Sequence, residues 1–170
     1  MSEMAMVQQE CDGMQEKMKI RKALPEDLSR VAEIFVFNNR VNYFPIFKDE
    51  TYSFGELQVV SLADGYFNRD EIMENLYVYD DGLVRGFLQM RCTEICKLYV
   101  DPFFQSRGVG SALIGYAVEE FRADHLWALE KNTRAVSFYQ RHGFRLTGER
   151  TFEEGTTEYL VELRRNLDVQ

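Results

Sequence analysis

The run Gln105-Ser106-Arg107-Gly108-Val109-Gly110-Ser111 combines two glycines, a hydroxyl residue on either side and one guanidinium. It follows an extended stretch, Leu98-Tyr99-Val100, and precedes an apolar-periodic one, so it sits where a strand hands over to a helix. Unpaired N–H groups and the positive end of the helix dipole point outward at such a junction. Glycines there remove the Cβ atoms that would hold a phosphate at a distance. Arg107 adds a charged donor. The chemistry on offer is anion binding, with a tight strand-to-helix turn as the plain structural alternative. A dinucleotide fingerprint fits less well, although Glu130 lies near the spacing of a ribose-binding acid. Leu113 stands at the third small position, and Asp101 to Arg107 is long for a Rossmann turn. A nucleoside-triphosphate loop fails because no Gly-Lys-Ser/Thr follows.

A second constellation runs from Asn132 to Phe144. Asn132 suits a helix N-cap, Ala135, Phe138, Tyr139 and His142 share a face, and Gly143 ends the helix. Tyr139 offers a phenol and Glu94, upstream on the strand, a carboxylate. Their structural alternatives are a core aromatic and an exposed strand residue.

The elements that must hold these residues alternate in period. Lys19-Ile20-Arg21-Lys22-Ala23 reads as a strand, and Pro25-Glu26-Asp27 opens a helix carrying Leu28, Val31, Ala32, Ile34 and Phe35. Val41 to Phe54 is irregular and rich in Tyr and Phe, Leu57 to Phe67 is helical, and Asp70 to Asn75 is a short helix. Leu76 to Met90 forms a hairpin turning at Asp80-Asp81-Gly82, and a third strand covers Ile95 to Val100. A helix spans Gly108 to Ala123, followed by a strand at Leu126 to Leu129 and a helix from Thr133 to His142. Extended segments at Phe144 to Gly148 and Thr157 to Leu163 complete the chain. The pattern is one mixed α/β domain over residues 19–166, preceded by a loose or short-helical tail over 1–18.

Bulk properties narrow the function classes. The 170 residues are 45% hydrophobic and suit one core. A formal charge of -8 argues against nucleic acid as a main partner and suits a cationic substrate or plain solubility. Cys11, Cys92 and Cys96 lack metal-site spacing and, beside only two histidines, predict neither metal nor disulfide. With no apolar run or secretory leader in the sequence, a cytoplasmic protein without a membrane span is expected.

Taken together, in this order and spacing, the two constellations resemble the GNAT superfamily of N-acetyltransferases. Gln105, Gly108 and Gly110 match the family's Gln/Arg-x-x-Gly-x-Gly/Ala loop. Asn132, Ala135, Phe138, Tyr139, Gly143 and Phe144 match its second pattern. The resemblance is carried by residues 94–144. It implies a GNAT fold, a single mixed and mostly antiparallel sheet flanked by helices, with acetyl-CoA as co-substrate and a small-molecule or peptide amine as acceptor. It assigns cofactor binding to Leu98, Tyr99, Val100, Gln105, Ser106, Arg107, Gly108, Val109, Gly110, Ser111, Asn132 and Tyr139. The pantetheine arm lies along Leu98 and Val100, and the Val100 N–H is an oxyanion donor. Glu94 is the candidate base, Tyr139 the candidate acid beside the sulfur. The acceptor is expected near Val41 to Phe47 and the Phe152-Glu153-Glu154-Gly155 turn, where Glu153 and Glu154 either select a cation or form a solvated turn. Many family members dimerise, so a homodimer is an open expectation. A silent acyl-CoA sensor and an NAD(P)-dependent oxidoreductase are the alternatives.

Overall fold

The computed structural model describes residues 5, 8, 12, 14 and 19–166. Most of the tail expected over 1–18, Cys11 included, lies outside the described residues.

Strand β1 (Ile20–Lys22) pairs antiparallel with β2 (Leu76–Asp80). Arg21, on β1, fixes the start of the first helix. Its guanidinium bonds both oxygens of Asp27 at 2.7 and 3.0 Å and reaches Asp80 on β2 at 2.8 Å, while Asp27 also accepts from the Leu24 N–H. Burial opposes the Asp27 charge, but the bonds from Arg21 and Leu24 outweigh it and hold that carboxyl below its ordinary range. Helix α1 (Leu28–Asn38) then lays Leu28, Val31, Ala32 and Ile34 on one face of the sheet.

Beyond α1 the structure departs from the irregular segment expected over Val41 to Phe54. A wide helical turn at Asn39–Tyr43 leads into α2 (Phe44–Phe47), and a second wide turn covers Thr51–Glu56. Aromatic packing holds these turns: Phe44 lies 5.0 Å from Phe54 and Tyr43 6.3 Å from Phe47, ring centre to ring centre. Rings on several faces hide the helical period from the sequence. Short helices α3 (Val59–Leu62), prolonged by a wide turn at Ala63–Phe67, and α4 (Asp70–Met73) follow as expected.

The remaining elements are β3 (Val84–Arg91), β4 (Glu94–Val100), α5 (Val109–Phe121), β5 (His125–Leu129), α6 (Thr133–Arg141), β6 (Arg145–Phe152) and β7 (Tyr159–Arg164). The sheet order is β1-β2-β3-β4-β5-β7-β6. Every pairing is antiparallel except β4 with β5. The sheet separates two cores. Leu76, Val78, Phe87 and Phe67 pack under α1, whereas Leu88, Met90 and Leu126 pack with Leu113, Ile114 and Ala117 of α5. This is the mixed, mostly antiparallel sheet with flanking helices that the resemblance implied.

One junction matters for function. The parallel pair β4–β5 is joined only at Glu94↔His125 and Ile95↔Leu126, after which the strands part. A β-bulge lies at the same level: Gln89 faces Lys97 and Met90 faces Ile95, so Cys96 has no partner on β3. Bulges increase local twist and bend the strand that carries them. The extra residue also changes which side chains share a face, so Ile95, Leu98 and Val100 all meet the α5 core.

Candidate functional site

The gap between β4 and β5 is a cleft of about 330 Å³. Cys96 to Val100 form one wall, Trp127 to Leu129 the other, and the starts of α5 and α6 close one end. On β4, Asp101 donates its N–H to the Arg85 carbonyl, which fixes the alternation of an antiparallel pair. Residues 99 and 101 therefore bond to β3, while the main-chain groups of Leu98 and Val100 point the other way. With β5 already gone, those groups face the cleft.

The loop after β4 is braced from several directions. Asp101 is buried, accepts from the Phe103 N–H at 2.9 Å and takes a 2.7 Å bond from Arg30 of α1. Gln105 donates to the Val100 carbonyl at 3.1 Å. Buried Asn38, at the end of α1, donates to the same oxygen at 3.0 Å. Ser106 and Gly108 both take positive φ, 61° and 87°, a conformation glycine adopts without strain. Helix α5 begins at Val109, with Gly108 as its cap residue, and its first N–H groups open toward the cleft end. Gly110 is needed for proximity: a Cβ there would stand 3.2 Å from the ring of Phe138 on α6.

Asn132 caps α6, accepting from the Ala135 N–H at 3.3 Å. His142 Nδ1 lies 2.8 Å from the Phe138 carbonyl and Nε2 3.1 Å from the Ser111 hydroxyl. A carbonyl only accepts, so Nδ1 carries the proton and Nε2 accepts from Ser111. That link ties the first turn of α5 to the end of α6.

The structure brings most of the expected site residues together. Leu98, Tyr99, Val100, Gln105, Ser106, Gly108, Gly110, Ser111, Asn132 and Tyr139 line the cleft. Val109 contributes from its main chain, since its side chain is buried in the core. Arg107 is exposed, with its guanidinium 5.6 Å from the centre of the Phe104 ring, and stands outside the lining. Glu94 also stands apart. It lies at the closed end, where β4 still pairs with β5, and Arg91 bonds its carboxylate at 2.5 and 3.1 Å.

Asn38 and Lys97 also line the cleft and went unnoticed in the sequence, whereas Tyr43, in the expected acceptor region, and Tyr99, among the expected cofactor residues, line it as well. Tyr43 and Tyr99 bring their hydroxyls within 3.2 Å of each other. Tyr139 is buried and makes edge contacts with Phe138 and Phe144. Burial, reinforced by Tyr43, raises the Tyr139 phenol well above the ordinary range, and burial raises Tyr43 and Tyr99 as well. Nearby, the β6–β7 turn carries Glu153, half-buried, whose charge is felt at Tyr43 and Tyr52. Burial and neighbouring Glu154 push its carboxyl up, against the pull of Lys97. The charged residues of the lining are Lys97, Arg134 and Arg141, with no carboxylate among them. The cleft lining is thus cationic in a chain of net charge -8. Among the described residues no group of acidic, His or Cys side chains is placed to hold a metal ion. No helix among them is long and apolar enough to cross a membrane.

The acetyltransferase (GNAT) domain family matches residues 73–146, which contain β2 to α6 and both constellations. Over that stretch the chain is similar to the GNAT acetyltransferase domain. An uncharacterised N-acetyltransferase of Methanocaldococcus jannaschii is 43% identical over 56 residues, 30% of this chain and 25% of that protein. The peptidyl-lysine N-acetyltransferase YjaB of Salmonella typhimurium is 32% identical over 63 residues, 37% of this chain and 43% of YjaB. The chain therefore spans a quarter to less than half of these relatives. The fold extends further than the sequence match. The apo solution structure of YjaB from Escherichia coli superposes with a TM-score of 0.65 at 21% identity, over 85% of this chain and 95% of that one. The PaiA N-acetyltransferase of Thermoplasma acidophilum, solved in complex with coenzyme A, gives 0.62 at 20% identity over 85% and 97%.

Proposed function

We propose that this GNAT domain transfers an acetyl group from acetyl-CoA to a primary amine by direct attack within a ternary complex. The observation that carries the reading is the unpaired edge of β4 at Leu98 and Val100, which faces a cationic cleft ending at the N-terminus of α5.

Each part of the cofactor meets matching chemistry. The pyrophosphate takes the free N–H groups of Val109, Gly110 and Ser111, with Arg134 and Arg141 adding positive charge. The pantetheine amides add to β4 as a strand would, satisfied by the main chain of Leu98 and Val100. Gln105 and Asn38 already occupy the Val100 carbonyl, so this end of the edge is held in shape before the cofactor arrives. An extended arm anchored at the α5 end runs back along β4, which brings the thioester toward Leu98. The Val100 N–H serves the arm, and the Leu98 N–H, at the thioester end, is the oxyanion donor.

The acceptor amine must lose a proton before it attacks, because an amine of pKa near 10.4 is almost fully charged at neutral pH. Glu153 supports this step better than Glu94: it is raised by burial and its charge reaches Tyr43, whereas Glu94 is held by Arg91. The neutral amine adds to the carbonyl carbon, its remaining ammonium proton passes to Glu153 or water, and the C–S bond breaks. Tyr139 meets the departing sulfur. A phenol raised by burial gives up its proton reluctantly, so its role is a hydrogen-bond donor to the developing thiolate, which then takes its proton from solvent.

The test is thiol release from acetyl-CoA, measured with and without a panel of amines and peptides and followed by product mass. Release that requires the amine, with one acetyl group added to it, is expected. Release without any acceptor, or acetylated enzyme as an intermediate, overturns direct transfer.

A further inference from the structure

Lys97 is the charged residue of the cleft that the cofactor does not use. It lies on β4 on the side turned toward α1, away from the core that takes Leu98 and Val100. Its ammonium donates to the Tyr66 hydroxyl at 2.9 Å and sits 4.8 Å from the Tyr66 ring centre and 5.7 Å from that of Phe35. Tyr66 is fixed in turn by Gln89, at 3.1 Å. Among the described residues no carboxylate lies within ion-pair distance of Lys97. An ammonium has three protons to donate, and one is spoken for. A partly buried cation in an aromatic niche, open to a cleft and without an anionic partner, is an unfinished ion pair.

Glu153 supplies the opposite charge nearby, close enough for the two to influence each other yet not bonded to Lys97. A polyamine entering here meets a cation it cannot pair with. A molecule with an amine at one end and a carboxylate at the other satisfies both groups.

We propose that the acyl acceptor is a small amine that also carries a carboxylate, such as an amino acid, with Lys97 binding the carboxylate. This rests on the acetyltransferase reading. Lys97 acts on specificity: it touches the acceptor, not the reacting bond.

The test compares matched triples of acceptors, each an amino acid, its amide and its decarboxylated amine, by acetyl-CoA thiol release in the unmodified chain, Lys97→Met and Lys97→Arg. Coenzyme A stabilisation of each variant reports that it folds and keeps the cofactor site. The expected result is at least a tenfold preference in kcat/KM for the amino acid, carried by KM. That preference disappears in Lys97→Met and returns in part in Lys97→Arg, with amides and amines unchanged throughout. Equal use of all three acceptor types, or a Lys97→Met loss that falls on them alike, overturns the proposal and leaves the transferase reading intact. Coenzyme A binding with no turnover of any acceptor overturns the transferase reading and this proposal with it.

Discussion

Tyr139 and Glu94 stood together in the sequence as an acid and a base, and the fold treats them differently. Tyr139 reaches the cleft from a buried position beside Phe138 and Phe144, and its raised phenol stays protonated at any working pH. Tyr139→Phe keeps the ring packing and removes the hydrogen bond proposed to the sulfur. Its kcat is expected to fall about 10²-fold, the scale of losing one preorganised donor to a developing charge, with coenzyme A binding unchanged. Full activity in this variant removes Tyr139 from the chemistry. Glu153→Gln bears on the base. Since burial raises its carboxyl, activity of the unmodified chain should rise with pH through a limb above the ordinary carboxylate range. Below that limb Glu153 is protonated and cannot accept. Glu153→Gln is expected to remove the limb, while Glu94→Gln leaves the pH–rate profile in place; the reverse outcome restores Glu94 as the base. The sequence named Tyr139, Asn132 and the glycine loop because their types are demanded at fixed spacing. It missed Asn38 and Lys97, whose roles come from which strand edge they meet in space.

At the scale of elements, the site depends on β4 being free of β5 while gripped by β3 and α5. Gly86 sets that grip. It lies opposite Val100, and a Cβ there would stand 2.8 Å from the Tyr99 carbonyl oxygen and 3.1 Å from the Leu113 side chain. Gly86→Ala is expected to destabilise the fold by about 1–3 kcal/mol, since backbone must shift to admit the methyl group. The same shift weakens coenzyme A binding, because the cofactor edge of β4 moves with it. Urea unfolding and coenzyme A titration check the two effects; unchanged values in both contradict the role given to Gly86. A lone glycine inside a strand pattern is a readable sign of close backbone approach. The strand-and-helix alternation from Leu76 to Gly148 was equally readable, because its apolar residues switch between strand and helix spacing at each junction. Val41 to Phe54 was not, since its rings pack on several sides of wide helical turns. Nor was the bulge at Cys96, which is a property of the pairing between two strands rather than of either one.

Across the whole molecule, charge is distributed against its average. The chain carries -8, yet the cleft lining is positive, with Arg134 and Arg141 toward the α5 end and Lys97 toward α1. Bulk charge therefore does not describe the cleft, because what a ligand meets is the local field within about a Debye length. The glycine loop began as a general anion site; the parting of β4 and β5 beside it gives that site a long, amide-bearing neighbour to hold. Thermal unfolding with and without coenzyme A tests this most directly. At a hundred times the dissociation constant, binding adds about 2.7 kcal/mol of stability, which in a domain of this size raises Tm by roughly 5–10 °C. The account predicts that rise with coenzyme A and none with NAD(P). No rise with coenzyme A at millimolar concentration, or an equal rise with NAD(P), contradicts it.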